Sequence, residues 1–182
     1  MASENNGQAS RLPAAPEPPA GSKLAATYER VRAQGRKILN IMGTSAHSPD
    51  VADAIRVYSM ALRDDVLMSR KFQEMLILYV AHRETAPYPK SVHTPMALQA
   101  GLSQAQVEAI GDIASPLFDA KEQAALAYAE RVTTLGGVVD DATFARLSAQ
   151  FSSREIVEIT AVVTFYVCLC RYNTALGVNP ES

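Results

Sequence analysis

The stretch SRKFQEMLILYVAHRETAPYPKSVHTPMALQAGLS, Ser69 to Ser103, decides how this chain folds. Ser69 is a favourable N-cap, because its hydroxyl can accept from a first-turn N–H. Behind it Phe72, Met75, Leu76, Tyr79 and Val80 recur at helical spacing and form one apolar stripe. At about 100° per residue Glu74 falls on the opposite side, above Ile77, Leu78 and Ala81. Both faces are apolar, and a helix apolar all round is usually a buried one. Two readings of Glu74 stay open. As a buried carboxylate it loses hydration, holds its proton more tightly and suits general acid or base work. As a first-turn residue it favours the helix dipole and looks at water.

A polar break, His82 to Pro87, separates this helix from the next. Pro89 suits the first helical position, which makes Tyr88 the N-cap and leaves free N–H groups facing the break. Pro95 then lies inside the second helix, offers no hydrogen to the Ser91 carbonyl and is expected to kink the chain just after His93. Alone, His93 reads as an ordinary core or surface residue. Consecutive helices with a short connection normally pack as an antiparallel pair, and that makes His93 a candidate partner for Glu74.

These residues resemble the carboxymuconolactone decarboxylase family, which shares its fold with the AhpD-type alkylhydroperoxidases. Lys71, Glu74, Ile77, Val80 and Ala81 are similar to its first motif. Tyr88, His93, Pro95, Ala97, Ala100, Gly101, Leu102 and Ser103 are similar to its second. Leu39 to Pro49 and Phe165 to Val178 extend the resemblance, so that it covers about Ala25 to Val178. It implies an AhpD-like helical bundle and assembly into trimers or hexamers. In the peroxidase branch a C-x-x-C pair opens the second helix, and those positions here are Ala86 and Pro89. Without a thiolate nucleophile the peroxidase mechanism is excluded, and the decarboxylase-like branch remains. Pro89 and Lys90 stand where many members carry Glu-Trp, which alters the wall beside the site.

The rest of the chain reads as helix and turn. Met1 to Ser22, with Pro13, Pro16, Pro18 and Pro19, is expected to be a disordered or extended leader without chemistry. Residues 23–182 are expected to form one all-α domain of about six to eight helices. Lys23 to Ala33 is amphipathic, and Lys37 to Met42 is a short apolar turn or helix. Ser48-Pro49 opens a helix to about Leu62, with Val51, Ala54, Ile55 and Tyr58 on one face. Ser103-x-x-Gln106, Asp119-x-x-Glu122 and Ser152-x-x-Glu155 are capping boxes, and Asp140 caps a helix carrying Phe144 and Leu147. The last helix is the most apolar and stops at Gly177; its uncharged run, Ile159 to Cys170, is too short for the roughly 20 residues of a membrane span.

A net charge of −2 and no basic cluster argue against nucleic acid as a partner. Cys168 and Cys170 fall on different faces of a helix and read as small apolar fillers, consistent with a reducing cytoplasm. With His47, His82 and His93 scattered, no metal-ligand spacing appears, and no cofactor is expected. The expected partner is a small molecule, alongside other copies of the chain.

The family's decarboxylase acts on a γ-carboxylated unsaturated lactone, whose loss of CO₂ leaves a dienolate to be protonated at carbon. The resemblance therefore implies an acid at His93, oriented by Glu74, with Tyr88 and helix N–H groups over the oxyanion. Arg171, Arg83 or Lys90 is expected to hold a substrate carboxylate, Arg171 foremost because its segment is similar to the family. His82 and His47 are further candidates for substrate contact, although His47 also reads as a residue flanking a helix cap. Two alternatives keep the fold: a cofactor-free isomerase, cyclase or dehydratase, and a non-catalytic binding subunit.

Overall fold

The structure, a computed structural model, describes residues 11–181. Nine helices and no strand occur among them, slightly more helices than the six to eight expected. They are α1 (Lys23–Ala33), α2 (Asn40–Ser45), α3 (Pro49–Asp64), α4 (Arg70–Arg83), α5 (Pro87–Gln99), α6 (Gln104–Glu108), α7 (Ala120–Thr133), α8 (Asp141–Ser148) and α9 (Ser153–Leu176).

α4 lies at the centre, packed by α5, α7 and α9. Every residue from Gln73 to Ala81 is buried, as an all-round apolar helix requires. Leu76, Val80, Ala125, Leu126, Ile159 and Val163 are fully enclosed where α4, α7 and α9 meet. Each aliphatic side chain of Val or Leu size buried here contributes about 1.5–3 kcal/mol. Truncating Leu76 to Ala would cost about 2–5 kcal/mol, since a close-packed site collapses only in part.

Local signals set most helix ends. Ser69 accepts from Phe72 N–H, and the boxes at Ser103, Asp119 and Ser152 are reciprocally bonded. Gly177 ends α9 at φ 63°, a left-handed conformation that glycine adopts without strain.

Four expectations need correction. α5 begins at Pro87 with Ala86 as N-cap, so Tyr88 lies inside its first turn. First-turn N–H groups have no acceptor within the helix, so Pro87 and Pro89 are both tolerated there. α2 runs from Asn40 to Ser45 instead of from Lys37 to Met42. α3 turns Ala52, Ile55, Arg56, Ser59 and Arg63 inward, while Val51, Ala54 and Tyr58 are exposed. That inner face is half polar because it walls a cavity and not the core. Cys168, expected as an apolar filler, is exposed, whereas Cys170 two residues on is buried.

Residues 11–22 of the expected disordered or extended leader carry no helix and lie against the domain. Ala15 N–H donates to the Gly43 carbonyl at 2.9 Å and Arg11 to the Ala175 carbonyl at 3.0 Å. Glu17 pairs with Arg32 on α1. The remainder of that leader, residues 1–10, falls outside the described residues. No described helix is long and apolar enough to cross a membrane.

Candidate active site

The connection from Glu84 to Ala86 folds α5 back beside α4, and this brings Glu74 and His93 together. Glu74 is completely buried, one turn into α4. Its Oε2 lies 2.8 Å from Nδ1 of His93. Its Oε1 faces the guanidinium of Arg70, four residues earlier on the same helix, in an ionic contact that lacks hydrogen-bond angles. The carboxylate is thus held between a fixed cation and an imidazole, the compensation a buried charge requires. With Nδ1 occupied, Nε2 is the ring nitrogen left for other chemistry.

His93 borders a cavity of about 550 Å³, walled by α1, α2, α3, α5 and α9. Glu74 does not line it; the imidazole stands between the carboxylate and the open space. Tyr166 of α9 packs edge-on against the imidazole, ring centres 5.1 Å apart at 88°. Burial first, and the Glu74 charge second, push its phenol well above the usual tyrosine range, against the opposing pull of Arg70 and Arg63. Its hydroxyl is therefore a neutral donor at any working pH.

Tyr88 also lines the cavity, but its hydroxyl is already engaged. It accepts from Ile41 N–H at 3.1 Å and donates to the Glu181 carboxylate at 2.9 Å. Burial, opposed by the Ile41 contact and reinforced by Glu181, pushes this phenol up as well.

The five expected substrate contacts lie elsewhere, and none lines the cavity. Arg171 makes a two-pronged pair with Glu84, at 2.8 and 3.0 Å, tying α9 to the end of α4. His47 is exposed and stands 3.1 Å from the Pro13 carbonyl. The His82 imidazole covers Gly111 so closely that a Cβ there would overlap it. Arg83 and Lys90 are exposed. The cations that do reach the cavity are Arg56 and Arg63 of α3, Arg70 of α4, and Arg30, Arg36 and Lys37 at and beyond the end of α1. Arg70 was recognisable from its i,i+4 spacing to Glu74; Tyr166 and the α3 arginines carried no local signal. Among the described residues no three of His, Cys, Asp and Glu stand together as a metal site.

Residues 49–131 match the carboxymuconolactone decarboxylase family. The matched segment runs from α3 to α7 and includes both Glu74 and His93. The uncharacterized protein YnjA of Escherichia coli K12 is 38% identical over 67 residues, 37% of this chain and 37% of its own length. The chain thus spans little more than a third of that curated relative.

Among solved structures, an uncharacterized peroxidase-related protein with an alkylhydroperoxidase AhpD core, from Ralstonia eutropha JMP134, superposes with a TM-score of 0.82 at 19% identity, over 94% of this chain and 93% of its own. A cysteine-to-alanine variant of the debrominase Bmp8, bound to 2,3,4-tribromopyrrole, gives 0.79 at 20% identity, over 94% and 91%. A peroxidase-related protein of Silicibacter sp. TM1040 gives 0.80 at 20% identity, over 93% of each chain. At these identities the likeness is one of fold, and the fold is AhpD-like.

Proposed function

We propose that this chain is a cofactor-free lyase that removes CO₂ from a small carboxylated lactone or a related enolisable acid, without a redox step. The observation that carries the reading is the buried Glu74–His93 contact at 2.8 Å, opening through the imidazole onto a cavity lined by arginines. Guanidinium groups suit a carboxylate ligand, and no cysteine stands in the cavity wall.

The carbon–carboxylate bond breaks and CO₂ leaves. The electron pair flows through the alkene into the carbonyl oxygen and gives a dienolate. His93 acts in its doubly protonated form: Nε2 delivers its proton to the carbon α to that carbonyl, and the ring, left with its Nδ1 hydrogen, regains the Nε2 proton from solvent. Glu74 accepts the Nδ1 hydrogen and so fixes which nitrogen faces the cavity. Tyr166 takes over the oxyanion role first assigned to Tyr88, because its hydroxyl is uncommitted whereas that of Tyr88 is held by Glu181. The acting form is a cytoplasmic homo-oligomer, trimer or hexamer, taking a small molecule as its partner.

The assay incubates the enzyme with 4-carboxymuconolactone and a panel of lactone and β-keto acids, read for CO₂ and for deuterium uptake from solvent. His93→Ala and Glu74→Gln should each lower kcat by about 10²–10⁴-fold, the usual worth of a positioned acid, with helical content intact. Full activity in either variant, or no CO₂ from any acid of the panel with wild-type enzyme, overturns the reading.

A further inference from the structure

The charge of this cavity is out of proportion to the charge of the chain. Its described lining holds six of the 17 Lys and Arg residues but only two of the 19 Asp and Glu, in a chain whose net charge is −2. The cations fall into two groups. Three are compensated: Arg70 by Glu74, Arg56 by Asp53 at 2.7 Å, and Arg63 by Asp64 at 3.7 Å. Arg30, Arg36 and Lys37 have no ion-pair partner among the described residues, and all three are exposed, whereas Glu74 and His93 are enclosed. Three uncompensated cations in the lining of one cavity repel each other, and an anion placed among them lowers that repulsion.

Size points the same way. A cavity of about 550 Å³ lies within the range of sites for drug-sized ligands, and a single small lactone ring fills only part of it. The wall also carries Val31, Leu39, Ile55, Met60 and Met96, apolar side chains suited to a hydrocarbon body. Met is unbranched and adapts to irregular shapes.

We infer that the acid taken by this site is an elongated dianion: one carboxylate at the His93 and Arg70 end, an apolar body, and a second anionic group held by Arg30, Arg36 and Lys37 at the rim. The inference rests on the acid–base reading of the site and adds to it the substrate class. The remote group is a carboxylate or a phosphate, both of which match the guanidinium fork.

Binding of unreactive probes to the full-length protein tests this without any turnover. Octanedioate and decanedioate, compared by calorimetry with octanoate and decanoate, should bind about tenfold more tightly, and added salt should shrink the difference. In the triple variant Arg30→Gln, Arg36→Gln, Lys37→Gln the preference should vanish while monocarboxylate affinity stays the same. An ω-phosphonocarboxylate of equal length identifies the remote group as phosphate-like if it binds more tightly than the dicarboxylate, and as carboxylate if more weakly. Equal binding of mono- and dicarboxylates to wild-type protein overturns the inference, as does a triple variant that keeps the preference. CO₂ release from a short lactone would then still stand, so failure here is separate from failure of the lyase reading.

Discussion

Two tyrosines and two cysteines show how burial decides what a side chain can do. Tyr88 and Tyr166 both border the cavity and both are held protonated, but only one has a proton to offer. Tyr88 spends its hydrogen on Glu181, 2.9 Å away. Tyr166 stands beside the imidazole, and its hydroxyl has no hydrogen-bond partner among the described residues. Removing one oxyanion donor costs about 10²–10³ in kcat, so Tyr166→Phe should lower kcat on that scale and leave the ring packing in place. Tyr88→Phe should change kcat severalfold at most and lower the melting temperature instead, because it leaves Ile41 N–H without its acceptor and takes one of the donors from Glu181. Steady-state kinetics beside thermal melts separates the two, and equal kcat losses would remove the distinction. The cysteines differ as sharply. Burial, with Glu84 adding to it, pushes the Cys170 thiol up to about 12, whereas Cys168 is exposed. A thiol reacts as its thiolate, so iodoacetamide at pH 8 should label Cys168 and leave Cys170 unmodified in native protein. Peptide mass spectrometry after labelling checks this, and unfolding in urea should abolish the difference.

At the scale of the helix, what could be read from sequence was what is decided locally. Ser152, Asp119 and Ser103 announce their helices because a cap and its N3 partner lie three residues apart and need nothing else. The buried length of α4 was legible for the same reason: an apolar ring round a helix has one stable environment. The inner face of α3 was not. Apolarity picked out Val51, Ala54 and Tyr58, but the helix turns Arg56 and Arg63 inward, because the space it faces is a charged cavity formed by distant segments. Glu74 and His93 could be paired from their places on neighbouring helices, whereas Arg171 was misplaced because Glu84, 87 residues away, competes for it. The cap of α9 also gives a pH signature. Bonds from Ser152 N–H and hydroxyl, with Lys121 adding less, hold the Glu155 carboxyl below its ordinary 4.5. A depressed carboxylate stabilises the fold above its unfolded value, and that stability is lost as pH falls through the folded one. Glu155→Gln should therefore melt lower than wild type at pH 7, by a few degrees if the loss is that of a cap at about 1 kcal/mol. The gap should close as pH drops below 4.5, and a gap independent of pH would assign the loss to something other than charge.

Taken whole, the molecule holds the short helix α2 by both ends of the described chain. α2 has six residues, too few to be stable alone, yet Ile41, Met42 and Ser45 wall the cavity. From one side Ala15 bonds Gly43, Ala14 lies against the same glycine, and Tyr28 of α1 donates to the Met42 carbonyl at 3.1 Å. From the other, Asn40 N–H donates to Glu181 at 2.8 Å, and the Asn40 amide reaches the Asn179 carbonyl at 3.0 Å. Glu181 is the same carboxylate that receives the Tyr88 hydroxyl, so one side chain links α2, α5 and the end of the chain. The proline-rich segment before α1 thus acts as a strap, suited to that task because Pro loses little freedom on being fixed. Deleting residues 1–21 should remove its contacts while leaving the α4, α7 and α9 core untouched. In hydrogen exchange, the amides of Asn40 to Ser45 should open about tenfold faster or more, with those of Leu76 to Val80 unchanged, since local openings draw on local contacts. The melting temperature should fall by about 2–6 °C, the equivalent of one or two kcal/mol in a chain of this size. If the shortened chain exchanges at the α2 amides as slowly as the full one, the strap supports nothing there, and the cavity wall owes its position to Tyr28 and the C-terminal contacts alone.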